Sequence, residues 1–263
     1  MSQPSNEAKP KSRKGRACCA LLLLPLVVIG VGVALEHEQA PSGTEGEAAE
    51  RMAAEAERAV NLAAWRKTKA LRWTFAGIHD HLWDRERGFA RVVRGKRKVL
   101  LVLAGEGTSG RAWEGERELS GSELESRLQW AWTQWCNDSF WLNPVAKFRD
   151  PGTNRLDCGT NESGQRLLMI RYDSGGVTPG DRYVWELGPD GLPQRWKMWV
   201  SILPVGGVDA TWEGWETLAT GAKGATDHEL LFGIHLKLTD VKGATSLKDI
   251  EPGPDPFRSL VER

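Results

Sequence analysis

His79-Asp80-His81 is the densest group of proton-handling or metal-ligating side chains in the chain, and Asp227-His228 is the next. Residues two apart on a strand point to the same face, so His79 and His81 could share one ion. A third ligand, such as His228, would have to come from far along the chain. The competing reading is a polar loop joining two strands, and the sequence favours it. No HExxH or GxSxG pattern accompanies these residues. The run Gly175-Gly176-Val177-Thr178-Pro179-Gly180-Asp181 lacks the GK[ST] ending of a phosphate loop and reads as a tight turn before Tyr183. Cys136 and Cys158 belong to no CxxC pair. If this part of the chain is exported, their count allows one Cys136–Cys158 disulfide; otherwise they are two buried free thiols. The sequence therefore predicts a non-enzymatic protein with no cofactor and no metal.

The apolar side chains say more. The chain of 263 residues has 13 Trp against 2 Tyr and 6 Phe. So many indoles can build a thick core or wall a cavity. Lys and Arg total 35, as do Asp and Glu, giving a net charge of +0 and no basic surplus for nucleic acid.

The elements that position these residues follow from charge and periodicity. Residues 1–16 are basic and suit a cytoplasmic N-terminus. Residues 17–35 carry no charge and read as a transmembrane anchor or a signal peptide, with Gly32-Val33-Ala34 as a cleavage site. Basic residues before this run and Glu36 and Glu38 after it orient the rest of the chain outward. Residues 36–50 read as a flexible linker, 51–249 as a β-rich domain, and 250–263 as a Pro-rich, extended tail. Within the domain, Ala56, Val60, Ala63, Ala64 and Leu71 mark a leading helix. Leu71, Trp73 and Phe75 then alternate with polar residues, as a half-buried strand requires. Strands follow at Phe89–Val93 and Val99–Leu103, with a turn at Gly95-Lys96. Ser120 with Glu123 signals a capping box for a second helix to about Trp135, carrying Leu124, Leu128, Ala131, Trp132 and Trp135 on a bulky stripe. Asn137-Asp138 beyond it reads as a cap or turn. Strands return at 167–172, 183–187, 194–200, 210–218 and 232–238. About eight strands and two helices, without regular alternation, predict an α+β fold: a curved antiparallel sheet, or unclosed β-barrel, with helices covering one face and one hydrophobic helix in front.

The order of helix, strands, bulky helix and strands resembles the outer-membrane lipoprotein carriers, the LolA/LolB-like half-barrels. The block Trp135-Cys136-Asn137-Asp138-Ser139-Phe140-Trp141-Leu142-Asn143-Pro144, the following Lys147-Phe148-Arg149-Asp150, Leu82-Trp83-Asp84, and Tyr172 to Asp181 are similar to an uncharacterised group of envelope proteins with that expected fold. The resemblance covers about residues 55–245. It implies a half-barrel under a helical lid that holds a lipid, an acyl chain or an acylated lipoprotein, with an Arg latching the lid; Arg72 and Arg91 are the candidates. Trp73, Phe75, Leu128, Trp132, Trp135, Trp141, Trp185, Trp196 and Met198 are the expected cavity residues. The expected setting is the bacterial cell envelope, with residues 17–35 in the inner membrane and the domain in the periplasm, or the whole domain released there after cleavage. A membrane-tethered module with a filled core, and a metal-dependent hydrolase built on His79, His81 and His228, are the alternatives.

Overall fold

A computed structural model describes residues 37–174, 179–230 and 233–262. The expected hydrophobic segment 17–35 lies outside the described residues. Among these, no helix is long and apolar enough to cross a membrane.

Two short helices lead, α1 (Glu47–Ala59) and α2 (Leu62–Lys67). Five hairpin-connected strands follow: β1 (Ala70–Phe75), β2 (His79–Asp84), β3 (Phe89–Arg94), β4 (Arg97–Val102) and β5 (Ser109–Glu114), with the stub β6 (Arg117–Glu118). The Arg94–Arg97 hairpin needs a left-handed residue at its tip, and Gly95 supplies it at φ 57°. Helix α3 (Gly121–Phe140) leads to β7 (Thr153–Thr160), β8 (Arg166–Tyr172), β9 (Arg182–Leu187), β10 (Pro193–Trp199) and β11 (Val208–Thr211). The ribbon of β12 (Glu216–Thr217) and β13 (Lys223–Gly224), then β14 (Asp227–Glu229), β15 (His235–Ala244) and α4 (Arg258–Val261) complete the chain.

Strands β14-β15-β1-β2-β3-β4-β5-β6 form one antiparallel sheet and β11-β10-β9-β8-β7 another. Bridges Ala210↔Leu230 and Glu213↔Asp227 join β11 to β14, so 13 strands form one curved run whose end strands β6 and β7 do not pair. This is the expected α+β half-barrel, and α3 crosses its concave face. Strand alternation sorts side chains between the two faces. Leu71, Trp73 and Phe75 of β1 point into the main core with Leu128, Ala131 and Trp135 of α3 and with Met52, Ala53 and Ala56 of α1. Ala70, Leu82 and Leu100 point outward to Ile250 and the fully buried Phe257.

Several local expectations are corrected. His79-Asp80-His81 is strand β2, not a loop; cross-strand pairs with β1 and β3 outweigh its polar composition. Strands β5 to β7 escaped the periodicity because Gly, Arg, Glu and Asn fill many of their positions. The strand expected at 210–218 stops at Thr211. Helix α3 continues to Phe140; its N-cap Ser120 makes no side-chain hydrogen bond, and Glu123 pairs with Arg117, so the expected capping box is not formed. The expected flexible linker is docked from residue 37 on. Glu38 N–H donates to Gly206 O at 3.0 Å, Thr44 pairs with Asp157 on β7, and helix α1 already begins at Glu47. The tail is likewise a strap across the convex face. Arg87 grips Asp255 through both terminal nitrogens, at 2.6 and 2.8 Å, and Phe257 plugs the outer core.

Candidate functional site

Helix α3 is apolar on two sides, and each side meets a different wall of the half-barrel. One side packs on β3, β4 and β5. Leu128 lies over Gly110, where a Cβ would fall 2.8 Å from its Cδ2, and Trp135 meets Trp83 edge-on at 5.2 Å. The other side looks toward β8, β9 and β10. There Phe140 contacts Tyr172, Tyr183 and Trp196 at ring separations of 5.7, 5.0 and 5.8 Å. Trp141 extends the aromatic wall, meeting Trp196 edge-on at 4.8 Å and stacking on Trp212 at 6.1 Å.

Between α3 and β8–β10 lies a cleft of about 1210 Å³. Trp132, Trp135, Cys136, Phe140 and Trp141 form its helix wall; Tyr172, Tyr183, Trp196 and Met198 form the sheet wall. Its charged lining residues are Glu106, Lys147, Asp150 and Asp181; Lys147 is paired with Asp150 at 3.0 Å and Asp181 accepts a hydrogen bond from Ser201 N–H at 3.0 Å. Burial pushes the Cys136 thiol up to about 12 and raises both tyrosine phenols well above their usual value. The aromatic walls therefore carry no charge at neutral pH.

Of the nine expected cavity residues, Trp132, Trp135, Trp141, Trp196 and Met198 come together in this cleft. The other four serve elsewhere. Trp73 stacks on His81 at 4.7 Å, and Phe75 stacks on His79. Leu128 fills the α3–sheet interface, and Trp185 is fully buried among Phe148, Trp196 and Trp212. Tyr172, Tyr183 and Phe140 were not singled out; Tyr172 and Tyr183, on the inward face of strands that the periodicity located, were within reach of the same alternation. The permitted Cys136–Cys158 bridge is not formed. Cys136 faces the cleft from α3, whereas Cys158 sits on the edge strand β7 against the 37–46 segment, and both are free thiols. Arg72 and Arg91 do not latch the lid either. Both reach Glu251 of the tail on the convex face, at 3.3 and 2.7 Å.

The histidines do converge, on a partner the sequence reading had treated as a helix cap. Asp138 is fully buried on α3, and its Oδ2 accepts from His79 Nδ1 at 2.8 Å and His81 Nε2 at 2.7 Å. Asn137 Nδ2 donates to Asp138 Oδ1 at 2.9 Å. The three ligand atoms lie within 4.8 Å of one another, a donor set of a type that binds transition metals. Metal-bound imidazoles, however, normally have their second nitrogen held by an outer hydrogen bond. Here His79 Nε2 and His81 Nδ1 have no partner among the described residues. The geometry is that of one carboxylate oxygen receiving two N–H bonds, which fastens α3 to β2. Burial lowers the His81 pKa, and Asp138 opposes that shift less strongly. His228 is not part of the group. It lies against Trp212 at 4.3 Å and reaches Thr211 O through Nδ1 at 3.0 Å.

Neither the protein-family models nor the curated proteins include a match to this chain. A crystal structure of a DUF1329 family protein from Desulfovibrio piger is similar at a TM-score of 0.38 and 13% identity, covering 79% of this chain and 99% of that chain. A likeness that distant carries nothing about function, which rests on the geometry of the cleft.

Proposed function

We propose that this protein binds a lipid, an acyl chain or the acyl group of a lipoprotein in the cleft between α3 and β8–β10, without covalent chemistry on it, in the bacterial cell envelope. The observation that supports this reading is the cleft itself: about 1210 Å³ walled by Trp132, Phe140, Tyr183, Trp196 and Met198. Small-molecule pockets are mostly apolar and run to about 1,000 Å³, so the space suits a long apolar chain better than a compact polar metabolite. Residues 17–35, read as an export or anchor segment, fit such a location.

The test is native mass spectrometry of the full chain purified from a bacterial envelope, with organic extraction of whatever co-purifies. Bound lipid or acylated peptide is expected, and its loss is expected in Trp132→Glu, which charges the helix wall at a half-buried position. A clean apo mass, with no uptake on incubation with phospholipid, would refute the reading.

A further inference from the structure

Single exposed apolar side chains are ordinary on a folded domain, but several gathered on one face mark a surface with a partner. Among the described residues four stand out: Ile78 at 49% exposed, Ile202 at 71%, Ile234 at 59% and Val261 at 60%. Val261 belongs to the C-terminal strap. The three isoleucines are far apart in sequence, yet strand register brings them to one rim. Phe75 pairs with His79 across the β1–β2 hairpin, so Ile78 is at that hairpin's tip. Phe75 also pairs with Leu238, and Ala76 N–H donates to Lys237 O at 2.8 Å, so the start of β15, just after Ile234, lies beside the same tip. Glu229 pairs with His235, and Leu230 bridges Ala210, which carries the rim onward to β11. Met198 pairs with Val208, placing the β10–β11 loop with Ile202 next in line.

Two further features share this rim. Ile202 and its neighbour Leu203 also line the cleft, so the exposed apolar tips run into its lining. Residues 37 and 38 are fastened to the same loop. Gly206 N–H donates to His37 Nδ1 at 3.1 Å, and Trp199 Nε1 donates to Glu38 O at 2.8 Å. The described chain therefore begins at this rim, and in sequence the uncharged run 17–35 ends two residues before His37. On the other side of Ile78, the β3–β4 tip presents exposed Arg94 and Lys96, which form no ion pair among the described residues. The tip beyond it, Glu114 to Arg117, carries both signs.

We infer that this hairpin rim lies against a lipid bilayer surface, with Ile78, Ile202 and Ile234 dipping into the acyl boundary and the cleft lining reached from the membrane side. Single isoleucines on separate tips suit insertion between lipids better than a flat protein interface. The described chain enters the domain at this rim directly after that uncharged run, which fits the same orientation, and Arg94 and Lys96 sit where phosphate headgroups would meet them. The inference does not depend on what the cleft holds.

The experiment places a benzophenone photocrosslinker singly at Ile78, Ile202, Ile234 or Glu86. Glu86 is an exposed residue of the β2–β3 turn on the opposite rim. All four positions are exposed, so the core is undisturbed. The full chain is reconstituted into vesicles of phosphatidylethanolamine and phosphatidylglycerol, irradiated, and analysed for lipid adducts by mass spectrometry. An excess of about tenfold or more at the three isoleucines over Glu86 is expected, the factor that sequestering one such side chain in lipid implies. Equal yields at both rims, no adduct anywhere, or adducts joining two copies of the chain would overturn it. None of these results bears on lipid co-purification, so this inference and the cleft reading can fail separately.

Discussion

Replacing Asp138 tests whether the His79–Asp138–His81 group is the fastening of α3. Asp138→Ala removes a charged acceptor that two buried imidazoles share at 2.7 and 2.8 Å. A hydrogen bond to a charged group contributes about 1.5–3 kcal/mol, and leaving a buried donor unpaired costs a similar amount. Alanine returns roughly 0.5 kcal/mol through its better helix propensity. The net loss is then about 3–5 kcal/mol. In a chain of this size each kcal/mol moves Tm by roughly 2–4 °C, so the melting point should fall by about 6–20 °C. Asp138→Asn keeps the shape, accepts from one imidazole and offers its amide to the other; it should cost about 1–2 kcal/mol, the share due to charge. Differential scanning calorimetry of the full chain in one detergent gives both values. An alanine variant within about 2 °C of wild type would refute the fastening, as would an asparagine variant no better than alanine.

Three other outcomes follow from the same structure. His228 is held down to about 4 by burial, so its neutral form is favoured in the fold; stability should be full above pH 6.5 and fall by about 3 kcal/mol as pH drops toward 4, a loss that urea titrations should find reduced in His228→Gln. Gly110→Ala would drive a Cβ into the Leu100 carbonyl of the neighbouring strand, prising β5 from β4, and would crowd Leu128 Cδ2 at 2.8 Å; about 3 kcal/mol of lost stability should appear in the same titration, and a neutral result would contradict the close approach. Phe257→Ala empties the outer core under the strap and should cost about 3–5 kcal/mol, whereas a tail that merely trails would lose nothing measurable in thermal melts.

The sequence by itself determined the fold class and much of the strand pattern. Period-two alternation at Leu71-Trp73-Phe75, the Gly95-Lys96 turn and the stripe Leu124-Leu128-Ala131-Trp135 are local signals that tertiary packing did not override. The abundance of tryptophan allowed either a thick core or a cavity wall, and the structure uses it for both. Other features depended on contacts between distant segments. Asp138 looked like a helix cap until 57 and 59 residues of separation closed to hydrogen-bond length with His81 and His79. The 37–46 segment and the tail looked flexible because their Glu, Gly and Pro carry no periodicity; what orders them is Gly206, Asp157, Arg87 and the outer core, none of them local. The division of nine apolar residues into cleft lining and sealed core was also beyond the sequence. Alternation tells which residues share a face, but only the path of α3 across that face decides which of them it covers and which it leaves open to a ligand.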